Sequence, residues 1–326
     1  DYFEQGFHPL GFARESDAIP PSGALVKAAL LASGEFLPNC GSFMQSTSAC
    51  GQGMGRVHLG RSLAIAGDPR TPPGMLVVDR GATAGLSTGE VHEERIEVTD
   101  ASRPLRAVVA WIDRPGSALV NDLGLVVLGP DGTPSRTYLG GNFAGEYSVS
   151  LAGGGDSADA TNPFEAVFVD PAEIVPGTWT IRVEGTNVPD GDPGLGDTQP
   201  FALVASGGFA TPGSVREVSG EGSASPLVVT ASSGPTVGWR WEDMGPGASY
   251  NLYGGPLPGA GEAWSYGHGV LGPATCGLPA PSADVGDRLD GANRYYLVAM
   301  VRVGTEGSLG FDSAGAERPA ATPACP

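Results

Sequence analysis

The chain has 326 residues, a formal net charge of −18 and only 17% charged residues, a length that suggests two or three domains. The acidic balance argues against a nucleic-acid partner, because phosphate contacts need a basic face. No stretch is long and apolar enough to span a bilayer. With 52 glycines and 29 prolines, turn formers are abundant, yet 40% of residues are hydrophobic and fall in short runs between them. That pattern indicates an all-β protein with many turns.

The chain opens on "DYFEQG", which reads as the last turn of a helix, with Gly6 placed for a left-handed C-terminal conformation. Neither a basic start nor an apolar core marks a signal peptide here, and the expectation is that further residues lie upstream. Residues 1–68 hold the only clear helical pattern. In "IPPSGALVKAALLASG", Ser22 is placed as an N-cap, Gly34 as a stop, and Leu25, Ala28, Ala29 and Ala32 share one face. The alanines predict close packing against a sheet. A loop between Cys40 and Cys50, a glycine turn "GQGMG" and a short helix in "VHLGRSLAIAG" follow. A segment this small does not fold alone and belongs to a larger body.

The glycine turn invites comparison with a phosphate cradle. Such a loop follows a hydrophobic strand, opens a long helix, and carries Lys-Ser/Thr or a downstream acid. Here a cysteine loop precedes it and the following helix is short. The turn is read as structural, with Gly51, Gly53 and Gly55 reversing the chain and Arg56 anchoring it.

Residues 69–208 alternate apolar and polar positions in strand-length runs, clearest in "GMLVVD", "ERIEVTD", "LRAVVAWID", "DLGLVVLGPDG", "EAVFVD", "GTWTIRVEG" and "FALVASG". Turn signals such as Pro-Asp-Gly at 130–132 separate them. The spacing predicts a jelly-roll β-sandwich. Residues 209–225 form a Gly/Ser-rich linker. Residues 226–326 contain "LVVTAS", "TVGWRWED", "ASYNLYGG" and "RYYLVAMVRV", and resemble a small fibronectin type III sandwich. The fold class is therefore mainly β: two sandwiches preceded by a short helical segment.

Four cysteines allow three pairings. The local pairs Cys40–Cys50 and Cys276–Cys325 are the simplest, since each stays within one expected domain. The spacing does not suit zinc, which takes two close Cys or His pairs. Disulfides imply an oxidising compartment, hence a secreted protein.

"PSGALVKAALLASG" followed by "GQGMGRVHLGRSL" resembles the last helix and closing turn of a subtilisin-like serine protease catalytic domain. The segments "PLRAVVAWIDRPG", "ALVNDLGLVVLGPDG", "NPFEAVFVDPAEIVPGTWTIRVEGTNVP" and "QPFALVASGG" follow in the order found in subtilases with a C-terminal jelly roll. The resemblance covers roughly residues 1–208. It implies that residues 1–68 are the end of an incomplete catalytic domain, and that the family's Asp, His and Ser lie upstream. No substitute triad is present in this chain. Thr47-Ser48 lacks the flanking motif, and His58 and Ser62, four apart, have no orienting acid or oxyanion hole. The catalytic set is therefore empty, and the chain alone is expected to be inactive.

Calcium is the cofactor expected, since it takes six to eight oxygens in flexible geometry and the resembled proteins often carry it in this domain. The candidate ligands are Asp113 at a strand end, Asn121 and Asp122 at the start of the next strand, and Asn162 and Glu165, with Asp159, in "DATNPFE". Against this, Asn121 and Asp122 read equally as turn caps, and Gly124 replaces an acid of the usual family pattern. The acidic run with Asp190, Asp192 and Asp197 ranks lower and reads equally as a solvated loop.

Aromatic residues suggest a second kind of site. Trp239 and Trp241 share a strand face and are assigned to a core. Trp264 and Tyr266, in a glycine-rich loop beside His268, are the candidates for exposed contact with a sugar or polymer.

Two functions follow. One is the C-terminal portion of a secreted subtilisin-like endopeptidase, whose partners are its own upstream catalytic segment and a protein or peptide substrate. The alternative is an independent extracellular carbohydrate- or surface-binding protein without enzymatic activity. The helix at 22–33 discriminates: packing against the sandwich weakens the first reading, and an exposed apolar face supports it.

Overall fold

The computed structural model describes residues 1–44, 50–155, 158–190, 198–211, 227–230, 237–257, 266–285, 294–309 and 318–326. The chain divides into two compact units, Asp1–Pro212 and Gly213–Pro326.

The first unit is a β-sandwich with a helical layer on one outer face. Its elements in chain order are α1 (Gly23–Ala32), β1 (Gly34–Glu35), β2 (Arg56–Val57), β3 (Gly74–Arg80), β4 (Val91–Val98), β5 (Leu105–Ala110), β6 (Asp122–Leu128), β7 (Thr137–Ala144), β8 (Tyr147–Ser150), β9 (Phe164–Val169), β10 (Gly177–Asn187) and β11 (Phe201–Gly207). One antiparallel sheet runs β4-β10-β6-β7-β8 and the other β3-β11-β5-β9.

Strand periodicity explains why β5 and β11 read as unbroken apolar runs. Successive residues point to opposite faces of a strand, and here both faces are covered. Ala107, Val109 and Trp111 of the β5 region, with Leu203 and Ala205 of β11, enter the core between the sheets. Their neighbours Val108, Ala110, Ala202 and Val204 enter a second core under α1. Alanines 24, 28, 29 and 32 line that second core, so small side chains meet small side chains and the helix approaches the sheet closely.

The ends of α1 are fixed by polar contacts. Ser22 Oγ accepts a hydrogen bond from Leu25 N at 3.0 Å and donates to Asp79 Oδ1 on β3 at 2.6 Å. At the other end, the carbonyls of Ala32 and Gly34 accept from Arg106 Nη1 at 3.1 and 2.8 Å. This cation satisfies carbonyls that a helix C-terminus leaves without partners. Arg106 sits 4.3 Å from the centre of the Phe168 ring and is fully buried.

"DYFEQG" does adopt a helix-terminating turn: Gly6 has φ +68°, and Gly6 N and Phe7 N donate to Phe3 O and Tyr2 O, each at 3.0 Å. These are the two bonds of a Schellman motif. The glycine turn is structural too. Gly53 and Gly55 take positive φ, β1 pairs with β2, and Arg56 Nε donates to Glu35 Oε2 at 2.8 Å. Gly51 does not use the left-handed region. The helix expected over 57–67 shrinks to a single 3-10 turn at Leu59–Arg61. Pairing of Val57 with Gly34 holds the segment's start, and Ile65 N donates to Thr71 Oγ1, so the chain bends back before a longer helix forms.

The second unit contains β12 (Val228–Thr230), β13 (Val237–Arg240), β14 (Ser249–Pro256), β15 (Gly269–Val270), β16 (Ser282–Val285), β17 (Arg294–Arg302) and β18 (Thr305–Glu306). They form sheets β12-β13-β16 and β15-β14-β17-β18. Trp239 and Trp241 are buried in its main core with Tyr250, Leu252, Val298 and Met300. Disulfides join Cys40 to Cys50 in the first unit and Cys276 to Cys325 in the second. No helix among the described residues is long and apolar enough to cross a membrane.

Candidate functional site

The oxygen-rich residues singled out in the sequence divide into two places. Asp113 and Asn121 belong to a loop anchor. The Asp113 carboxylate accepts from Val120 N at 2.8 Å and Asn121 N at 2.9 Å. Asn121 is fully buried. Its amide nitrogen donates to Asp190 O at 2.9 Å and Gln199 Oε1 at 2.8 Å, and its Oδ1 accepts from Asp190 N at 3.2 Å. These side chains tie the 113–121 loop to residues 190 and 199.

Asp122, Asp159, Asn162 and Glu165 form the second group. Glu165, on β9, is fully buried beneath β6 and β7. Its Oε2 accepts from Leu125 N, and its Oε1 from Asp159 N at 3.0 Å. Burial pushes its pKa up to about 8, and the charges of Asp122 and Asp159 add to the rise. Burial also raises Asp122, with Asp159 contributing. Asp159 in turn accepts from Asn162 Nδ2 at 2.6 Å and Thr161 N at 2.8 Å.

Local backbone chemistry makes room for this group. A Cβ at Gly140 would overlap the Glu165 carboxylate, and Gly141 adopts φ +83° against Asp159. Beside them lies a cleft of ≈ 580 Å³ lined by Asn142, Asp159, Thr161, Asn162 and the backbone of residues 153–155. The arrangement gathers carboxylate, amide and carbonyl oxygens, the donors a hard cation takes. Among the described residues no three His, Cys, Asp or Glu side chains stand together as a ready metal centre, so a cation here would draw on amides and carbonyls as well.

Trp264 lies outside the described residues. Tyr266 is half-buried within a ring cluster, 6.2 Å from both His268 and Tyr295, with the Arg318 guanidinium 6.0 Å from its ring centre. Its face is thus shared with neighbours in its own unit. Ser62 is buried and its hydroxyl donates to Leu59 O at 3.5 Å, whereas His58 is exposed.

The helix at 22–33 leaves an exposed apolar face, the feature read from the sequence as discriminating between the two functions. Val26 and Leu30 point away from the sheet and are 43% and 41% exposed, and Ile112, at 64%, is also exposed. Ile112 lies by the start of the helix, since a Cβ at Gly23 would sit 3.9 Å from its Cδ1. The single charged residue of the helix, Lys27, donates Nζ to Pro163 O at 2.8 Å and Trp111 O at 3.3 Å. It is therefore drawn toward the sheet side. The signal was present in "GALVKAALLA": a helix apolar on all sides is the kind buried on all sides.

This geometry defines a mainly β protein in two units, the first a helix-backed sandwich. No protein-family model matches the chain. It is similar to the serine protease/ABC transporter B family protein tagB of Dictyostelium discoideum, at 24% identity over 247 residues covering 63% of this chain and 12% of that protein. The chain thus spans about an eighth of that relative's length. Among solved structures, it aligns with a beta-1,2-glucanase from Parabacteroides distasonis at 10% identity and a TM-score of 0.18, over 74% of this chain and 29% of the other. It aligns with the VP2 protein of infectious bursal disease virus at 18% identity and a TM-score of 0.11, over 47% and 42%. Neither structural alignment is close enough to carry an argument.

Proposed function

We propose that the chain is the C-terminal portion of a secreted subtilisin-like serine endopeptidase, and that its first unit stabilises an upstream catalytic segment. The observation that carries this reading is the outward face of α1. A helix with no free polar side shows Val26 and Leu30 to solvent, with exposed Ile112 close to its start. Exposed apolar surface of this kind marks an interaction site. The likeness to a protein named as a serine protease supports the same reading. So does the two-disulfide inventory, which suits an oxidising compartment. The second unit, with its three- and four-stranded sheets, takes the role of a fibronectin-type appendage.

The test is the pair of substitutions Val26→Asp and Leu30→Asp, made in the protease as its cell produces it. Peptidase activity in the secreted fraction falls at least tenfold, while residues 1–326 alone keep their melting temperature. Unchanged activity with normal secretion would overturn the proposal.

Calcium is proposed as a structural cofactor of the first unit. Asp122, Asp159, Asn162 and Glu165 supply oxygens, and a divalent cation there would offset the burial and the lesser mutual repulsion that raise Glu165 and Asp122. Asp113 and Asn121 act instead through the loop anchor. Adding calcium after EDTA treatment raises the melting temperature, and Asp159→Asn removes that rise.

One observation favours the second reading, an independent binding protein: residues 1–68 pack against the sandwich within one compact unit. Under that reading the Val26 and Leu30 substitutions leave every activity of the native preparation intact, and residues 1–326 retain a glycan or surface ligand on their own.

A further inference from the structure

A second cleft lies on the first unit, ≈ 380 Å³ in volume, at the lower end of the range for small-ligand sites. Arg61, Arg70, Arg103 and Arg106 line it together with Glu146 and Tyr147. Four of the chain's 18 basic residues therefore meet at one place in a molecule of net charge −18.

Each guanidinium is anchored, and Arg61 and Arg106 share Glu146. Arg106 is fixed from below by the carbonyls of Ala32 and Gly34 and by the Phe168 ring. Burial lowers its pKa to about 10, so it stays charged at neutral pH. Arg61 pairs with Glu146 at 2.8 Å and Glu35 at 3.6 Å, and Glu146 also faces Arg106 at 3.5 Å. Arg70 is held by Asp68 at 2.7 Å and its side chain is 87% exposed. Arg103 donates only Nη2, to Pro69 O at 2.6 Å, and has no carboxylate within 4.0 Å among the described residues. The cleft wall thus carries four guanidiniums and one carboxylate, Glu146, while Glu35, Asp68 and Asp100 act on the arginines from outside the lining.

Donors remain free as well. Arg103 keeps Nε and Nη1, Arg70 keeps Nη1, and the Tyr147 hydroxyl has no protein partner among the described residues. The floor is apolar where Pro72, Pro104 and the Tyr147 ring line it. Among the described residues no helix N-terminus, the usual device for a phosphate, lines the cleft. Guanidinium forks match carboxylates in two-bond geometry, and an apolar floor suits the stem of a peptide.

We propose that this arginine cleft binds the carboxylate side chains of a short acidic peptide. The site is separate from the α1 face and does not depend on the protease reading.

Calorimetric titration of residues 1–326 with the peptide acetyl-Glu-Asp-Glu-amide, at low ionic strength, tests it. The peptide binds, binding weakens as salt rises, and acetyl-Gln-Asn-Gln-amide does not bind. Arg103→Gln weakens binding at least tenfold with an unchanged circular dichroism spectrum. Should that variant unfold, Arg70→Gln decides, since its side chain stands in solvent, and it weakens binding severalfold. Failure of the acidic peptide to bind overturns the proposal. Equal binding of the amide peptide, or wild-type affinity in a folded Arg103→Gln protein, does the same. Inorganic phosphate binding as tightly as the peptide would make this a general small-anion site and also overturn it.

Discussion

The two units hold themselves together by different means. In the first, one sheet is shared between two cores, so β5 and β11 bury every residue, and the cavity between the sheets is filled by Trp111, Trp179 and Tyr138. Its disulfide, Cys40–Cys50, closes a separation of only 10 residues. In the second, the main core among the described residues is smaller, and the disulfide Cys276–Cys325 spans 49 residues. A cross-link restricts the unfolded chain more when it closes a longer loop. Burial therefore dominates the first unit, and covalent closure matters most in the second.

Substitution and reduction separate these contributions. Trp179 is fully buried and its Nε1 donates to Val175 O at 2.9 Å. Trp179→Ala should destabilise the first unit by about 3–5 kcal/mol, read as an earlier urea transition for that unit alone. Reducing both disulfides should cost the second unit about 4 kcal/mol and the first about 3 kcal/mol, because closure entropy grows only with the logarithm of loop length. Equal losses in the two units would erase the contrast.

A titration sharpens it further. The folded-state pKa of Glu165 is raised to about 8 from an ordinary 4.5, with burial as the leading cause. The folded state therefore holds a proton that the unfolded state has lost. Stability from this group is complete below pH 4.5 and declines as pH rises toward 8. In EDTA, the melting temperature of the first unit should fall across that window, and Glu165→Gln should flatten the fall. A flat profile in the wild-type protein would contradict the burial of this carboxyl.

The smallest effect concerns the outer helix face. Val26→Ser and Leu30→Ser should change the stability of residues 1–326 by no more than about 0.5 kcal/mol each. Leu25→Ala, on the buried face of the same helix, should cost about 2–5 kcal/mol. Comparable losses on both faces would mean that the outward side is already covered.

Local signals made much of this legible. Ser22 and the alanine spacing located α1, its cap and its packing face, and the paired glycines marked the turn back onto Glu35. The oxygen-rich group was harder to read because adjacent residues of a strand face opposite ways. Asn121 turns inward to Asp190 and Gln199, while its neighbour Asp122 is near Asp159 and Glu165. Chain proximity could not separate them. The arginine cleft left no trace in any one motif, since its residues come from a 3-10 turn, two loops and a strand. Arg106 alone gave a hint, as a charge inside the apolar run "LRAVVAW". A cation buried in a strand needs fixed partners, and here the helix C-terminus provides them.

The central claim is that this chain works beside a serine-nucleophile catalytic segment. Its most direct test is to treat the native preparation with a fluorophosphonate probe and determine the intact mass of every chain present. The account predicts a labelled serine on sequence upstream of residue 1, either joined to this chain or co-purifying with it. An unlabelled preparation containing no second chain would contradict it.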